Sequence, residues 1–321
     1  FKPVLVNLYK TKTPVAVFSF PILIGLIALP ILFVENPELP NFYSWQQELV
    51  ALVSSSVVIH YLSAVLILYV SAIELNRVVN AYGFYSKNTY LPGLIYAISL
   101  LSFDQVYFSS LLLAYAFVIF GIGFIFRINR QDSATESIFM AALLFGVATI
   151  FSPFLLPIIV LPWFSLVVFR YFVWREWFML LIGFSIPWGY HYGVYFAVTG
   201  DWDILTEGFA LVNSPIEFTL DKLSLMIYMT LLVIYSIWRF LVILNTQLLV
   251  FKKRSRLLFH FIWLTLITLA FSWYFQDAWT IAVAIPFTII ISVQILNATQ
   301  SLYSNIMLTV WMGLIIWNLI M

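Results

Sequence analysis

Cysteine is absent from the chain, which removes disulfides, thiolate metal sites, iron–sulfur clusters and cysteine nucleophiles in one step. Charge is almost as scarce. Lys, Arg, Asp and Glu together make up 9% of the 321 residues, where a soluble domain carries roughly 25%, so a water-facing globule of this size has too few charges to cover it. No Walker A loop, glycine-rich dinucleotide turn, Gly-x-Ser-x-Gly elbow or Asp-x-Asp-x-Asp-Gly calcium loop is present, and soluble nucleotide chemistry therefore lacks its usual parts. The three histidines, His60, His191 and His260, show neither His-x-x-x-His nor Glu-x-x-His spacing, so a protein-held transition metal is not expected.

What remains is apolar. Hydrophobic residues form 63% and aromatic residues 19% of the chain, and mean hydropathy is +1.02. Long continuous apolar runs, in place of short alternating segments, argue against a membrane β-barrel and predict an all-α, polytopic transmembrane helical bundle. The runs lie at 14–34, 48–73, 89–103, 106–126, 137–151, 153–169, 177–199, 223–244, 257–275, 278–296 and 304–320. At about 20 residues per crossing they give about ten or eleven spans. One integral membrane domain over 1–321 is expected, with no linker and no internal repeat.

The charges separate by sign once placed between these runs. With the N-terminus in the cytoplasm, fourteen of the fifteen basic residues, from Lys2, Lys10 and Lys12 through Arg77, Arg170 and Arg175 to Lys252, Lys253, Arg254 and Arg256, fall inside, and Lys222 alone falls outside. The positive-inside rule counts Lys and Arg in short loops and so predicts this orientation. Residues 1–13, with three lysines among apolar side chains, read as a cytoplasmic interfacial segment. The 252–256 cluster reads as an anchor near anionic lipid or a dock for a cytosolic partner; no nucleic-acid partner is expected. Ten acids, among them Glu35, Glu38, Glu48, Asp104, Asp201, Asp203 and Glu207, gather at the outer side, in and around the outer loops 35–47 and 200–221.

Two runs are short. Residues 89–103 and 137–151 span about 22 Å at 1.5 Å per residue, less than the ~30 Å hydrocarbon core, which predicts a recess open to the outer leaflet. Pro153, Pro157 and Pro162 predict a broken or kinked start to the helix that follows the second. Asp104 sits in the tight turn after the first, where it, or Ser102, suits an N-cap and where its carboxylate also suits binding or catalysis. Glu35 and Glu38 end the first span, either as solvated loop acids or as a base held in a partly dry pocket. Asp201 and Asp203 flank Trp202, a spacing that suits first a wet loop and, as a weaker signal, a divalent cation held through oxygen. Lys222 and His191 are nearly the only outer groups able to meet a lipid phosphate; packing roles, an anchor beside Asp221 for Lys222 and a place in the aromatic belt of 188–193 for His191, stand beside that reading. Gly189 and Gly193 are expected to allow close packing there. Intramembrane Arg239 and His60 invite functional suspicion, and Ser54-Ser55-Ser56 suits interhelical packing.

The order of features at 89–170, a short helix ending at Ser102-Phe103-Asp104-Gln105, a helix ending at Arg127, then Gly146 to Pro153 leading through Pro157 and Pro162 to Arg170, resembles the integral-membrane glycosyltransferases of the C superfamily. That resemblance implies a polyprenyl-phosphate sugar donor at the outer side of the membrane, a first-loop carboxylate (Glu35, Glu38 or Glu48) as base, and inverting transfer. The first outer loop is shorter than is usual in that superfamily. The whole chain, including Lys252 to Arg256 and Ala284-Ile285-Pro286-Phe287, is also similar to a multi-span family of Bacteroidota, which implies a bacterial inner-membrane location and no particular activity. Two functions follow as expectations: a transferase or binder of lipid-linked sugar, or a non-catalytic subunit that packs its aromatic helices against other integral membrane proteins of a secretion, motility or translocation complex. A transporter fits less well, because paired interrupted segments in matching halves are missing.

Overall fold

The computed structural model describes residues 4–10, 13–32, 43–85, 88–102, 106–129, 134–200, 203, 220–273, 279–298 and 301–320. Every regular element among the described residues is helical: α1 (Val4–Tyr9), α2 (Pro14–Ile27), α3 (Ser44–Ser54), α4 (Val57–Ala81), α5 (Leu91–Leu101), α6 (Ser110–Ile128), α7 (Thr135–Phe151), α8 (Val160–Phe169), α9 (Trp174–Thr199), α10 (Leu220–Asn245), α11 (Leu249–Trp273), α12 (Trp279–Leu296) and α13 (Ser301–Ile320), with short 3-10 turns at Leu29–Leu32 and Pro153–Ile159. Three are long and apolar enough to cross a membrane, over Val57–Ala81, Ser110–Ile128 and Ser224–Asn245. Six further apolar stretches of 10–17 residues accompany them among the described residues.

The apolar character of these helices runs around the whole circumference. α2 buries Ala16, Phe20 and Ile24 while exposing Val15, Phe18, Ile22 and Leu26. α4 likewise buries Ala64, Leu68 and Ala72 and exposes Leu62, Leu66 and Val70. A helix hydrophobic on both faces belongs inside a core or in lipid, and an outward face this apolar is compatible with membrane insertion.

The run expected at 48–73 is broken by its serines. Ser55 Oγ donates to the Leu52 carbonyl at 2.8 Å, and Ser54 Oγ shares a hydrogen bond of 2.9 Å with His60 Nδ1, so local side-chain bonds compete with the helical ladder and α3 ends before α4 begins. α4 then continues past the expected end and carries Glu74, Asn76, Arg77 and Asn80 on its last turns. The prolines act as predicted: Pro153 and Pro157 lie in a 3-10 turn, and the α-helix resumes only at Val160. α5 is short, as its sequence suggests, but buried from Leu91 to Leu100 between α4 and α12.

α7 and α9 share the most extensive helix–helix contact. A Cβ on Gly183 would stand 2.7 Å from the Phe139 carbonyl oxygen and 2.9 Å from Ala142 Cβ, and one on Gly146 would stand 3.1 Å from Pro187 Cγ. Small residues let backbones approach in this way. Gly189 and Gly193, expected to do this, face open space instead.

One end of the bundle gathers the arginines. Arg254 donates to the Tyr82 carbonyl just past the end of α4 and lies over the Tyr82 ring at 5.9 Å. Phe84 packs on Phe126 and Phe251. Arg170 pairs with Glu176 at 3.0 Å and Arg77 with Glu74 at 3.1 Å. The opposite end carries the cluster of Tyr43, Trp45, Trp188, His191 and Tyr192.

Candidate functional site

The aromatic end is assembled from three separate stretches. α3 starts with Tyr43 and Trp45, α7 ends at Phe151, and α9 supplies Trp188, His191, Tyr192 and Tyr195. His191 follows Glu176 by fifteen residues, a rise of about 22 Å along α9, which sets it far from the arginine end. Its ring centroid lies 4.8 Å from Tyr43, 5.9 Å from Trp45 and 6.1 Å from Trp188, near edge-on in each case, the arrangement aromatic quadrupoles prefer. Trp45 reaches on to Phe151 at 5.6 Å, and Phe151 stacks on Phe117 of α6 at 5.7 Å.

Polar groups pin this cluster. Trp188 Nε1 donates to Thr149 Oγ1 at 3.0 Å, and Thr149 Oγ1 donates to the Gly146 carbonyl at 2.8 Å. Gln46, fully buried, donates from Nε2 to the Ile150 carbonyl at 3.0 Å and to the Phe151 carbonyl at 3.4 Å, satisfying carbonyls that the end of α7 leaves open. Gln46→Leu should therefore lower stability by about 1–3 kcal/mol, the cost of buried acceptors left without donors, read as an earlier thermal unfolding midpoint in one detergent. An unchanged midpoint would mean that the end of α7 does not depend on this side chain.

Among the described residues, two donors in or beside the cluster are buried without a partner: Trp45 Nε1 and Ser152 Oγ. A buried polar group left unpaired costs about 1–3 kcal/mol, and a ligand with oxygen acceptors removes that cost. On α4, His60 stands 6.2 Å from Tyr107 and 6.4 Å from Phe108, and among the described residues its Nε2 is buried without a partner.

Of the residues singled out from sequence, the structure brings His191 into this cluster. Glu35, Glu38, Asp104 and Asp201 lie outside the described residues. Lys222 falls in the first turn of α10, with its side chain outside the described set. Asp203 is exposed in a turn beyond α9, and Glu48 is exposed on α3. Among the described residues no three His, Asp or Glu side chains converge. The N-cap expected at Ser102 or Asp104 belongs to Ser109, whose Oγ accepts from Leu112 N–H at 3.1 Å. Ser102 closes α5 instead, donating to the Ile98 carbonyl at 2.9 Å and accepting from Trp311 Nε1 at 2.8 Å. Arg239 is half-buried on α10, and His260 shares a 2.7 Å hydrogen bond with the Arg256 carbonyl one turn earlier.

Tyr43, Trp45, Gln46 and Ser152 were not singled out from sequence. The available signal was Trp45-Gln46-Gln47 directly after a proline-containing loop, two amides at the start of an otherwise apolar helix. No protein-family model, curated protein or solved structure matches this chain.

Proposed function

We propose that the chain is a polytopic inner-membrane protein with a cytoplasmic N-terminus, and that its aromatic end faces outward and binds a polyprenyl-phosphate-linked sugar, as a glycosyltransferase of the resembling kind would. The observation that carries this reading is the pair of orphaned donors, Trp45 Nε1 and Ser152 Oγ, in an aromatic cluster around His191. Indole and phenol rings offer flat apolar faces to a sugar ring and polar edges to its oxygens. The acids of loops 35–47 and 200–221 adjoin the same helices in sequence. In the reaction, Glu35 or Glu38 takes the proton of the acceptor hydroxyl and the hydroxyl oxygen attacks the sugar's anomeric carbon. The bond from that carbon to the phosphate oxygen breaks, and the polyprenyl phosphate leaves with the bonding electrons. Inversion follows from attack opposite the departing phosphate. His191 and Lys222 are the groups assigned to the phosphate, and Asp104 to orienting the acceptor.

Native mass spectrometry of the full chain in nanodiscs doped with a polyprenyl-phosphate sugar tests the binding step. The wild type should retain the lipid. Trp45→Ala and Ser152→Ala should each weaken retention about tenfold, the factor that corresponds to roughly 1.4 kcal/mol, while Trp174→Ala at the arginine end leaves it unchanged. Retention that does not distinguish these variants would remove the assignment.

A second reading, a non-catalytic subunit of an envelope complex, has its own observation. Tyr171, Phe172, Trp174 and Phe178 form an exposed aromatic row at the turn from α8 to α9, with Tyr171 96% exposed. Stoichiometric co-purification of an integral membrane partner, lost in Tyr171→Ala with Phe172→Ala, would select it.

A further inference from the structure

At the arginine end the loop after α4 returns over the last turns of that helix and leaves a recess of about 330 Å³, lined by Ile73, Asn76, Arg77, Asn80, Asn88 and Thr89 among others. Its walls are tied to the chain. Asn80 Nδ2 donates to the Thr89 carbonyl and Thr89 N–H donates to Asn80 Oδ1, both at 3.0 Å, while Thr89 Oγ1 donates to the Tyr9 carbonyl at 2.8 Å. The amides that open α5 are already committed. Leu91 N–H donates to Thr89 Oγ1 at 3.1 Å, Gly93 N–H donates to Asn76 Oδ1 at 2.7 Å, and Pro92 has no N–H to offer. A ligand in the recess therefore meets side chains and not a free helix end.

Those side chains are predominantly donors. The Arg77 side chain is 58% exposed and holds Glu74 through a single nitrogen, which leaves further guanidinium N–H groups for a ligand. Asn88 is exposed at the rim. Asn76, at the floor and 3% exposed, has its Nδ2 buried without a partner. Glu74, the neighbouring carboxylate, is buried and committed to Arg77, and among the described residues no carboxylate lines the recess. Away from the recess, Ile73, Val70, Leu66 and Leu62 form an exposed apolar track along α4, three and four residues apart on one face. The same face thus passes from an apolar stripe to an exposed guanidinium.

The geometry points to a site for the phosphate-bearing headgroup of an anionic membrane lipid, with its phosphodiester against Arg77 and Asn88, a headgroup oxygen toward Asn76, and an acyl chain along Val70 and Leu66. The inference rests on the membrane reading for the lipid's tail. It does not depend on the sugar-binding assignment at the opposite end.

The test uses the full chain in phosphatidylcholine nanodiscs titrated with phosphatidylglycerol, with retained lipid counted by native mass spectrometry. Phosphatidylglycerol should be retained over phosphatidylcholine. Arg77→Gln and Asn88→Asp should each weaken it about fivefold, the scale of one basic charge near an anionic membrane surface, and Asn88→Lys should strengthen it by a similar factor. The Asn88 pair works at an exposed side chain, so a folding defect in Arg77→Gln leaves the question answerable. Equal retention of the two lipids, or no change in both Asn88 variants, overturns the site. Free glycerol phosphate competing as well as the lipid would overturn the lipid assignment in favour of a soluble phosphate ligand. Trp45→Ala should leave phosphatidylglycerol retention intact, which keeps failure here separate from failure of the sugar reading.

Discussion

Gly183→Ala should destabilise the protein by about 1–3 kcal/mol, the usual cost of overpacking a well-filled interface, and Gly183→Val by more. The reason is the identity of the atoms in the way. The new methyl would meet the Phe139 carbonyl oxygen at 2.7 Å and Ala142 Cβ at 2.9 Å, and neither is the free end of a flexible chain. Relief requires α7 and α9 to separate, and separation undoes the most extensive helix–helix contact in the bundle. It would also disturb the aromatic cluster, because Thr149 and Trp188 are joined across this same interface. Gly189→Ala, six residues along the same helix, meets nothing within 4 Å and should leave stability unchanged or raise it by up to about 1 kcal/mol through helix propensity. Thermal unfolding of both variants in one detergent, followed by tryptophan fluorescence, separates the two. Equal midpoints for Gly183→Ala and wild type would mean that the helices do not cross as closely as described.

That contrast also marks what the sequence made legible. Both glycines sit in apolar surroundings, and nothing in their immediate neighbours says which one faces another backbone. The same blindness applies to α5, since an apolar run reads identically whether it meets lipid or protein, and its complete burial is a tertiary fact. Prolines are different, because a missing N–H and a fixed φ act locally; Pro153 and Pro157 therefore announced a broken entry into α8, which takes the form of a 3-10 turn. The serine break at 54–56 was hidden because serines are common inside membrane helices and only the bond from Ser54 to His60 shows which role they take here. At the candidate site, Trp188, His191 and Tyr192 were visible as neighbours on one helix, whereas Tyr43 and Trp45 arrive from about 150 residues away, beyond what local pattern conveys. Asp104 shows the limit from the other side. Its place before an apolar helix suited a cap, but the helix begins later, at Ser110, and Ser109 takes that role.

On the proposed transferase reading, replacing the base by its amide should reduce sugar transfer by about 10²–10⁴-fold, the range typical of general acid–base catalysis. Glu35→Gln and Glu38→Gln, made singly, should split, the base falling by that factor and the other staying near wild type. Asp104→Asn should act differently, raising KM for the acceptor more than it lowers kcat if the carboxylate orients the acceptor without taking its proton. The amides are close in shape to the acids they replace, so each variant should keep the wild-type unfolding midpoint and still retain the lipid-linked sugar in nanodiscs. Retention is what makes the rate informative. A variant that binds the donor through Trp45 and Ser152 but turns over slowly has lost chemistry, whereas one that loses both has lost the site. If all three variants transfer sugar at the wild-type rate, none of Glu35, Glu38 and Asp104 takes part in the reaction. If the wild type itself binds the donor and transfers nothing to any acceptor, the aromatic end is a recognition surface and the subunit reading gains the argument.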